Sequence, residues 1–405
     1  MDKTFFVGIN YWPAKKAMYW WKKFDIEEVR EDFARLKQAG IKVVRIFLTW
    51  EDFQPRPDLI SRRAIDNLCA VADLAKTFSL SLMPTFFCGH MSGVNWMPGW
   101  MLTGQNSAGR FPVFSDSRIC GAQIRNFYTE KDIIEAQGYQ VQEVCSALKD
   151  HEAITAYDLG NEASNCVIPP SAEYAHRWLG SMTYLINRYS GKVPVTLGMH
   201  AEDLEENRHL GPQDAALFCD FLSMHGYPFY LSWSTDTYDV DVLPFLGLVT
   251  AWLGKKPVLF QEFGAPTAPR LTPWPDLSGS KCPLGAEDVV AQFYRRAISR
   301  LYEENMIGCM IWCYADYIPE LWNYPPLDKN LHERHFGIFR YDRTPKPVVE
   351  VLGGNLGHNR PPVNLSLKAF SWLEGEDRTS FYDNPRNNLI RLYKKYKQAL
   401  KQRSN

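Results

Sequence analysis

Residues 153–166 read AITAYDLGNEASNC, and their interpretation decides the fold. Ile154, Ala156 and Leu159 form an apolar strand with no charge before Asp158, and Gly160 breaks it. Asn161 and Glu162 follow, an amide beside a carboxylic acid, at the entry to a polar loop. A carboxylate is costly in the middle of a buried strand, whereas a strand end is a usual place to build a site. A second stretch, KPVLFQEFG at 256–264, again closes an apolar run with an acid, Glu262. Together they predict a sheet whose strand ends converge on one polar centre.

Similar runs recur outward from these two. Phe5–Asn10, Lys42–Leu48, Leu80–Phe87, Val193–Gly198, Phe221–His225 and Ile307–Cys313 bring the strand candidates to eight. Between them lie stretches with helical spacing, such as Asp25–Gln38 with Ile26, Val29, Phe33 and Leu36, stopped by Gly40. Others cover 62–78, 131–149, 171–189, 213–217, 237–253 (across Pro244) and 285–305. Strand–helix alternation of this period implies a parallel sheet, and eight units close a barrel. No G-x-G-x-x-G turn follows the first strand, which argues against an open doubly wound sheet. The predicted architecture is an α/β fold, a (β/α)8 barrel over residues 1–352 with long βα loops. The excursion at 88–130 is too long for a plain connection and predicts a functional loop. Residues 353–405 form a C-terminal extension, with Pro361-Pro362 in a loop. It ends in a basic amphipathic helix at 387–402 expected to lie on the barrel.

Bulk properties narrow the function. The 405 residues are 45% hydrophobic, enough for a large core, and the net charge of −1 has both signs mixed along the chain. That leaves no electrostatic reason for nucleic acid or an anionic membrane as partner. No apolar run is long enough to span a bilayer. Nine scattered cysteines lack zinc-module spacing and are expected to be reduced thiols. With an N-terminus that lacks a signal-type core, this predicts a cytoplasmic location. The surplus is aromatic: 14% of residues, including 13 Trp, which hints at a cleft that stacks on flat rings.

Catalytic residues of such barrels come from the C-terminal strand ends. Here those ends supply Asn10 and Trp12, Arg45 and Trp50, His90, Asn161 with Glu162, His200, His225 with Tyr227, Glu262, and Trp312. No lysine is placed for a Schiff base and no phosphate loop is visible. Cleaving a glycoside takes one carboxylic acid for the leaving oxygen and a second carboxylate as nucleophile or base. Glu162 and Glu262 fall on strands four and seven, roughly opposite in the ring. Asn161 is placed for a sugar 2-hydroxyl. Arg45 and Tyr227 are expected to keep Glu262 ionised, while Glu162, facing that anion, is expected to hold a raised pKa and carry the proton. Each feature has a plainer reading. A glutamate at a strand end can be a loop charge, and the histidines can be core residues or metal ligands. Without H-x-H or H-E-x-x-H spacing, no metal or cofactor is expected. Trp12, Trp50, Trp96 and Trp100 are either core or sugar platforms. Arg45 resists a plain reading, because a buried guanidinium needs an acid partner.

With these residues assembled, the chain resembles the retaining glycoside hydrolases of clan A, most of all family 5, from about residue 5 to 350. The resemblance rests on Val43-Arg-Ile-Phe47 (as VVRIF), Gly89-His90, Leu159-Gly-Asn-Glu162, His225-Gly-Tyr227, Gln261-Glu-Phe-Gly264 and Trp312. It implies Glu162 as acid/base and Glu262 as nucleophile, with Arg45, His90, Asn161, His225, Tyr227 and Trp312 around the subsite where the bond breaks. Asn10-Tyr-Trp-Pro13, WEDFQP (50–55) and GHMSGVNWMPGW (89–100) further resemble β-mannoside-cleaving members. The implied substrate is a short oligosaccharide or glycoconjugate, with the loops 88–130 and 264–284 closing one end of the cleft. Endo-acting mannanase or glucanase, transglycosidase, and a silent sugar-binding barrel stay open as alternatives.

Overall fold

The computed structural model describes residues 4–104, 109–268, 282–353 and 367–403. Eight parallel strands close into a barrel in which each pairs with its sequence neighbours and the last returns to the first. They are β1 (Phe6–Asn10), β2 (Val43–Thr49), β3 (Ser81–Cys88), β4 (Tyr157–Asn161), β5 (Val195–His200), β6 (Leu222–His225), β7 (Val258–Phe263) and β8 (Gly308–Ile311). All eight predicted runs are therefore strands, and the (β/α)8 barrel is the observed fold.

The connecting helices are α1 (Ile26–Gln38), α2 (Arg62–Thr77), α3 (Lys131–Ala147), α4 (Ala172–Ser190), α5 (Pro212–Ala215), α6 (Val242–Gly254), α7 (Glu287–Glu303) and α8 (Pro347–Gly353). Local chemistry sets their ends. The Asp25 side chain caps α1 by accepting from the Glu27 and Glu28 amides, and Ser61 caps α2 through the Ala64 amide. Pro244 sits in the first turn of α6, where a missing N–H costs nothing.

Side chains inside the barrel alternate with a period of two, and this builds the site from below. Val43, Met83, Ala156, Phe221, Leu259 and Met310 form an apolar plug. Two residues further along the strands come Arg45, Thr85, Asp158, Ser223 and Gln261, all buried. The barrel thus changes from an apolar floor to a hydrogen-bonded polar layer within one step, and the strand ends open above it.

The excursion after β3 carries short strands, among them Val94–Trp96 and Val113–Ser115, which pair beside the mouth. Residues 105–108 within it, most of the loop 264–284, and Pro361-Pro362 lie outside the described residues. The final helix α9 (Pro385–Arg403) buries Leu389, Leu392, Tyr393 and Tyr396. Tyr393 OH donates to Asp239 at 2.5 Å, Lys397 Nζ to Asp241 at 2.7 Å and Arg403 to Glu304 at 2.9 Å. Among the described residues, no helix is long and apolar enough to cross a membrane.

Candidate active site

Both acids arise where strand pairing is irregular. The β4–β5 register shifts between Asp158 and Asn161, and β7 shifts against both its neighbours around Gln261–Glu262. Such bulges re-aim side chains at barrel rims. Glu162 itself has φ +48°, a left-handed conformation that is uncommon for a non-glycine residue and recurs where function over-determines the backbone. The result brings a carboxylate oxygen of Glu162, one of Glu262 and a ring nitrogen of His225 within 4.8 Å of one another.

Beneath them Arg45 is fully buried and organises the layer. Its Nη1 donates to Glu262 Oε1 at 2.7 Å and Asn10 Oδ1 at 3.0 Å. Its Nη2 donates to Asp158 Oδ2 at 2.7 Å and Asn161 Oδ1 at 2.8 Å, and Nε to Thr85 at 2.9 Å. Tyr227 OH donates to the other Glu262 oxygen at 3.0 Å. Asn161 gives one N–H to the His90 carbonyl at 2.9 Å, which leaves its second N–H for a ligand.

A proton chain can be assigned by elimination. Gln261 Nε2 donates to Asp158 Oδ2 at 3.2 Å, so Gln261 Oε1 accepts from His225 Nε2 at 3.0 Å. His225 Nδ1 then faces Glu162 Oε1 at 3.0 Å, and one proton is shared between them. Burial alone raises the Glu162 carboxyl, but the imidazoles of His200, His225 and His90 overrule it and hold it well below the usual range. His225 moves up against its own burial, through Glu262 and the hydrogen bond to Glu162. Glu262 is raised, because burial and the facing Glu162 outweigh His225, Arg45 and Tyr227. Both expectations about these groups are corrected. Arg45 and Tyr227 contact Glu262 as foreseen without bringing it low, and the Glu162 carboxyl, expected to be raised, is instead held low. The cause is the ring of imidazoles, whose convergence on one carboxyl is a matter of tertiary placement.

A cavity of about 520 Å³ opens above the acids, within the range of small-ligand sites. Of the expected residues, Glu162, Glu262, His90, Asn161, His225, Tyr227 and Trp312 line it. Asn10 and Arg45 lie beneath as supports, fully buried. Trp12, Trp50 and Trp96 do not line it, which corrects their reading as sugar platforms. Trp12 stacks on Phe47 with centroids 4.8 Å apart. Trp50 packs edge-on against Trp100 and bonds Gln54, and Trp96 packs on Phe114. They are core. Residues not foreseen also line the cavity: Arg110, Glu202, Tyr230, Glu333 and, from α9, Arg386. The C-terminal extension also supports this wall from behind. Tyr382 OH donates to the Asp203 carbonyl at 2.8 Å, and Asp203 Oδ2 accepts the His200 amide at 3.0 Å.

The Glu162, His225 and Glu262 atoms also form a possible three-donor cation site. Their oxygens and nitrogens are already engaged by Arg45, Tyr227, Asn165, Gln261 and each other. The donor set therefore fits a hydrogen-bonded acid pair better than an ion.

Fold and site together define an eight-stranded parallel barrel with two facing carboxylates at its mouth. No family model matches the chain, and comparison with curated proteins gives no match. Among solved structures, it is similar to a Glu-to-Ala variant of GH5_18 from Streptomyces cattleya in complex with Manβ1-4GlcNAc: 22% identity, TM-score 0.71, covering 89% of this chain and 83% of that one. It is similar to a GH5_18 from Bifidobacterium longum subsp. infantis at 20% identity and TM-score 0.71, covering 89% and 80%. It is also similar to the exo-β-1,4-mannosidase Op5Man5 from Opitutaceae bacterium strain TAV5, at 23% identity and TM-score 0.68, covering 87% and 60%. These likenesses establish the barrel fold.

Proposed function

We propose that the protein is a retaining glycoside hydrolase that removes β-linked mannose, or a related hexose, from short oligosaccharides or glycoconjugates. One observation carries this reading: the paired carboxylates, with oxygens within 4.8 Å, match the ~5 Å carboxyl separation of the retaining mechanism and leave no room for the water an inverting enzyme places between them. Glu262, aimed by Arg45 and Tyr227, attacks the anomeric carbon. The Glu162–His225 pair gives its proton to the leaving oxygen. In the second half Glu162 takes a proton from water, which displaces Glu262 and frees the sugar. Trp312 offers a ring at the cavity wall, and Asn161 offers its free N–H to the sugar 2-hydroxyl.

Mannose is favoured over glucose by the complex of the Streptomyces cattleya structure with Manβ1-4GlcNAc and by the activity in the name of Op5Man5. Release of single sugars is favoured over endo action by the ties across one end of the cavity. Ser92 Oγ donates to Glu333 at 2.9 Å and Asn330 Nδ2 to the Ser92 carbonyl at 2.7 Å, so the loops after β3 and β8 are stitched together there. Nine free thiols suit a reducing compartment such as the cytoplasm. Turnover of aryl β-mannoside and β-glucoside by wild type and Glu262→Ala tests the reading. Wild-type hydrolysis lost by several orders of magnitude in the variant is expected; equal activity in the two would reject it.

A further inference from the structure

We propose that Glu333 reads the terminal sugar: its carboxylate accepts hydrogen bonds from hydroxyls on the ring edge remote from the anomeric carbon and so selects a neutral sugar that carries them free. The inference rests on the glycosidase reading and names a specificity residue within that same cavity.

Glu333 follows β8 in the turn Leu331–His335, is only 8% exposed, and lines the cavity. One of its oxygens takes Ser92 Oγ at 2.9 Å and, more weakly, Trp312 Nε1 at 3.4 Å. The other has His332 Nε2 at 3.6 Å. Among the described residues no lysine or arginine comes within ion-pair distance of it. A carboxylate offers about four acceptor positions, so the protein leaves it under-satisfied. A buried carboxylate without a cation is costly, and burial, reinforced by Glu262 and Glu162, pushes its pKa up to about 7. A residue kept for stability alone would have a lysine or arginine partner or be apolar; this one is charged without such a partner among the described residues, and it is buried and lines the cavity beside Trp312.

Its place in the ring of strands says which part of the sugar it meets. β8 stands across the barrel from β4, whose Glu162 serves the leaving oxygen. Glu333 therefore meets the edge of the sugar farthest from that oxygen. The Ser92 and Asn330 ties close the space behind it, so a sugar chain does not continue there. Accepting positions favour hydroxyl donors, and the Glu333 carboxylate disfavours a uronate at that edge.

The test measures kcat/KM for wild type, Glu333→Ala and the near-isosteric Glu333→Gln on an aryl β-hexoside and its 4-deoxy and 6-deoxy analogues. Expected is a loss on the order of a hundredfold or more for Glu333→Ala on the parent sugar. At least one deoxy analogue should be poor with wild type yet suffer little further loss in Glu333→Ala, because both changes remove one contact. A merely structural role would not produce that non-additivity. Glu333→Gln should lie between the two and keep the fold, checked by thermal melting. Activity of Glu333→Ala within threefold of wild type, or losses that simply multiply for both analogues, would overturn the inference and leave the glycosidase reading standing. Absence of any wild-type turnover would overturn the glycosidase reading itself.

Discussion

Arg45→Met is the substitution whose effects can be worked out furthest from the structure. The side chain is fully buried and joins two carboxylates, Asp158 and Glu262, that are themselves buried. Breaking a buried ion pair from one side costs roughly 3 to 5 kcal/mol, since the remaining charge has nowhere to go. Entropy of unfolding scales with length, and for 405 residues it comes to about 0.85 kcal/mol/K. The melting temperature should therefore fall by about 4 to 6 °C at neutral pH. Chemistry should suffer more than stability. Arg45 supplies one of two hydrogen bonds that aim Glu262, and losing one such preorganised donor costs on the order of a hundredfold to a thousandfold in kcat. The pH profile gives the sign. Arg45 lowers the Glu262 pKa against burial, so its removal raises that pKa further, and the nucleophile must be ionised to attack. The acidic limb of kcat/KM on an aryl β-mannoside should consequently move to higher pH. A variant that melts within a degree of wild type and keeps its acidic limb in place would refute the reasoning.

Other outcomes follow from the same geometry. Glu162→Ala should slow substrates with sugar leaving groups far more than activated aryl glycosides, which leave without a proton; equal losses on both would deny it the acid role. The ionisation of Glu333 sets a stability trend. Its folded pKa of about 7 lies above the ordinary carboxylate value, so its stabilising contribution is complete below about pH 4.5 and is lost as pH rises through 7. Glu333→Gln should thus melt above wild type at pH 8, by up to roughly 3 kcal/mol of added stability, and no differently at pH 4; a fixed difference at both pH values would contradict this. Treatment with a chelator should leave turnover unchanged, because the donors around Glu162 and Glu262 are engaged with one another; loss of activity restored by a divalent cation would reverse that view. Arg386→Ala, on α9 at the cavity wall, should raise KM for an oligosaccharide while sparing an aryl glycoside. An oligosaccharide KM unchanged by the substitution would show that α9 only supports the barrel.

Much of this was legible in the sequence because barrels write their plan in a simple code. The eight apolar runs and their helical spacers needed only local periodicity, and the acids at the ends of β4 and β7 stood out against apolar strands. Arg45 announced itself as a buried charge, and its partner was within reach too: Asp158 shares the inward face of β4, one step of two beyond Ala156. The tryptophans misled because aromatic content cannot distinguish a ring stacked on Phe47, as Trp12 is, from one that faces a ligand. Glu333 lies in a segment without periodicity after β8, and Arg386 opens a helix whose pattern shows its apolar face but not its place at the barrel mouth, so only the closed fold brings the two together. The imidazole ring around Glu162 draws His90, His200 and His225 from three strands, so the direction of its pKa depended on distances no linear pattern contains.

The central claim is that Glu162 and Glu262 act as a retaining pair on a β-glycoside. Proton NMR of an aryl β-mannoside during the first minutes of hydrolysis tests it most directly, before the released sugar mutarotates. The structure predicts that the β anomer accumulates first. Initial release of the α anomer, or no hydrolysis of any aryl β-glycoside, would contradict it.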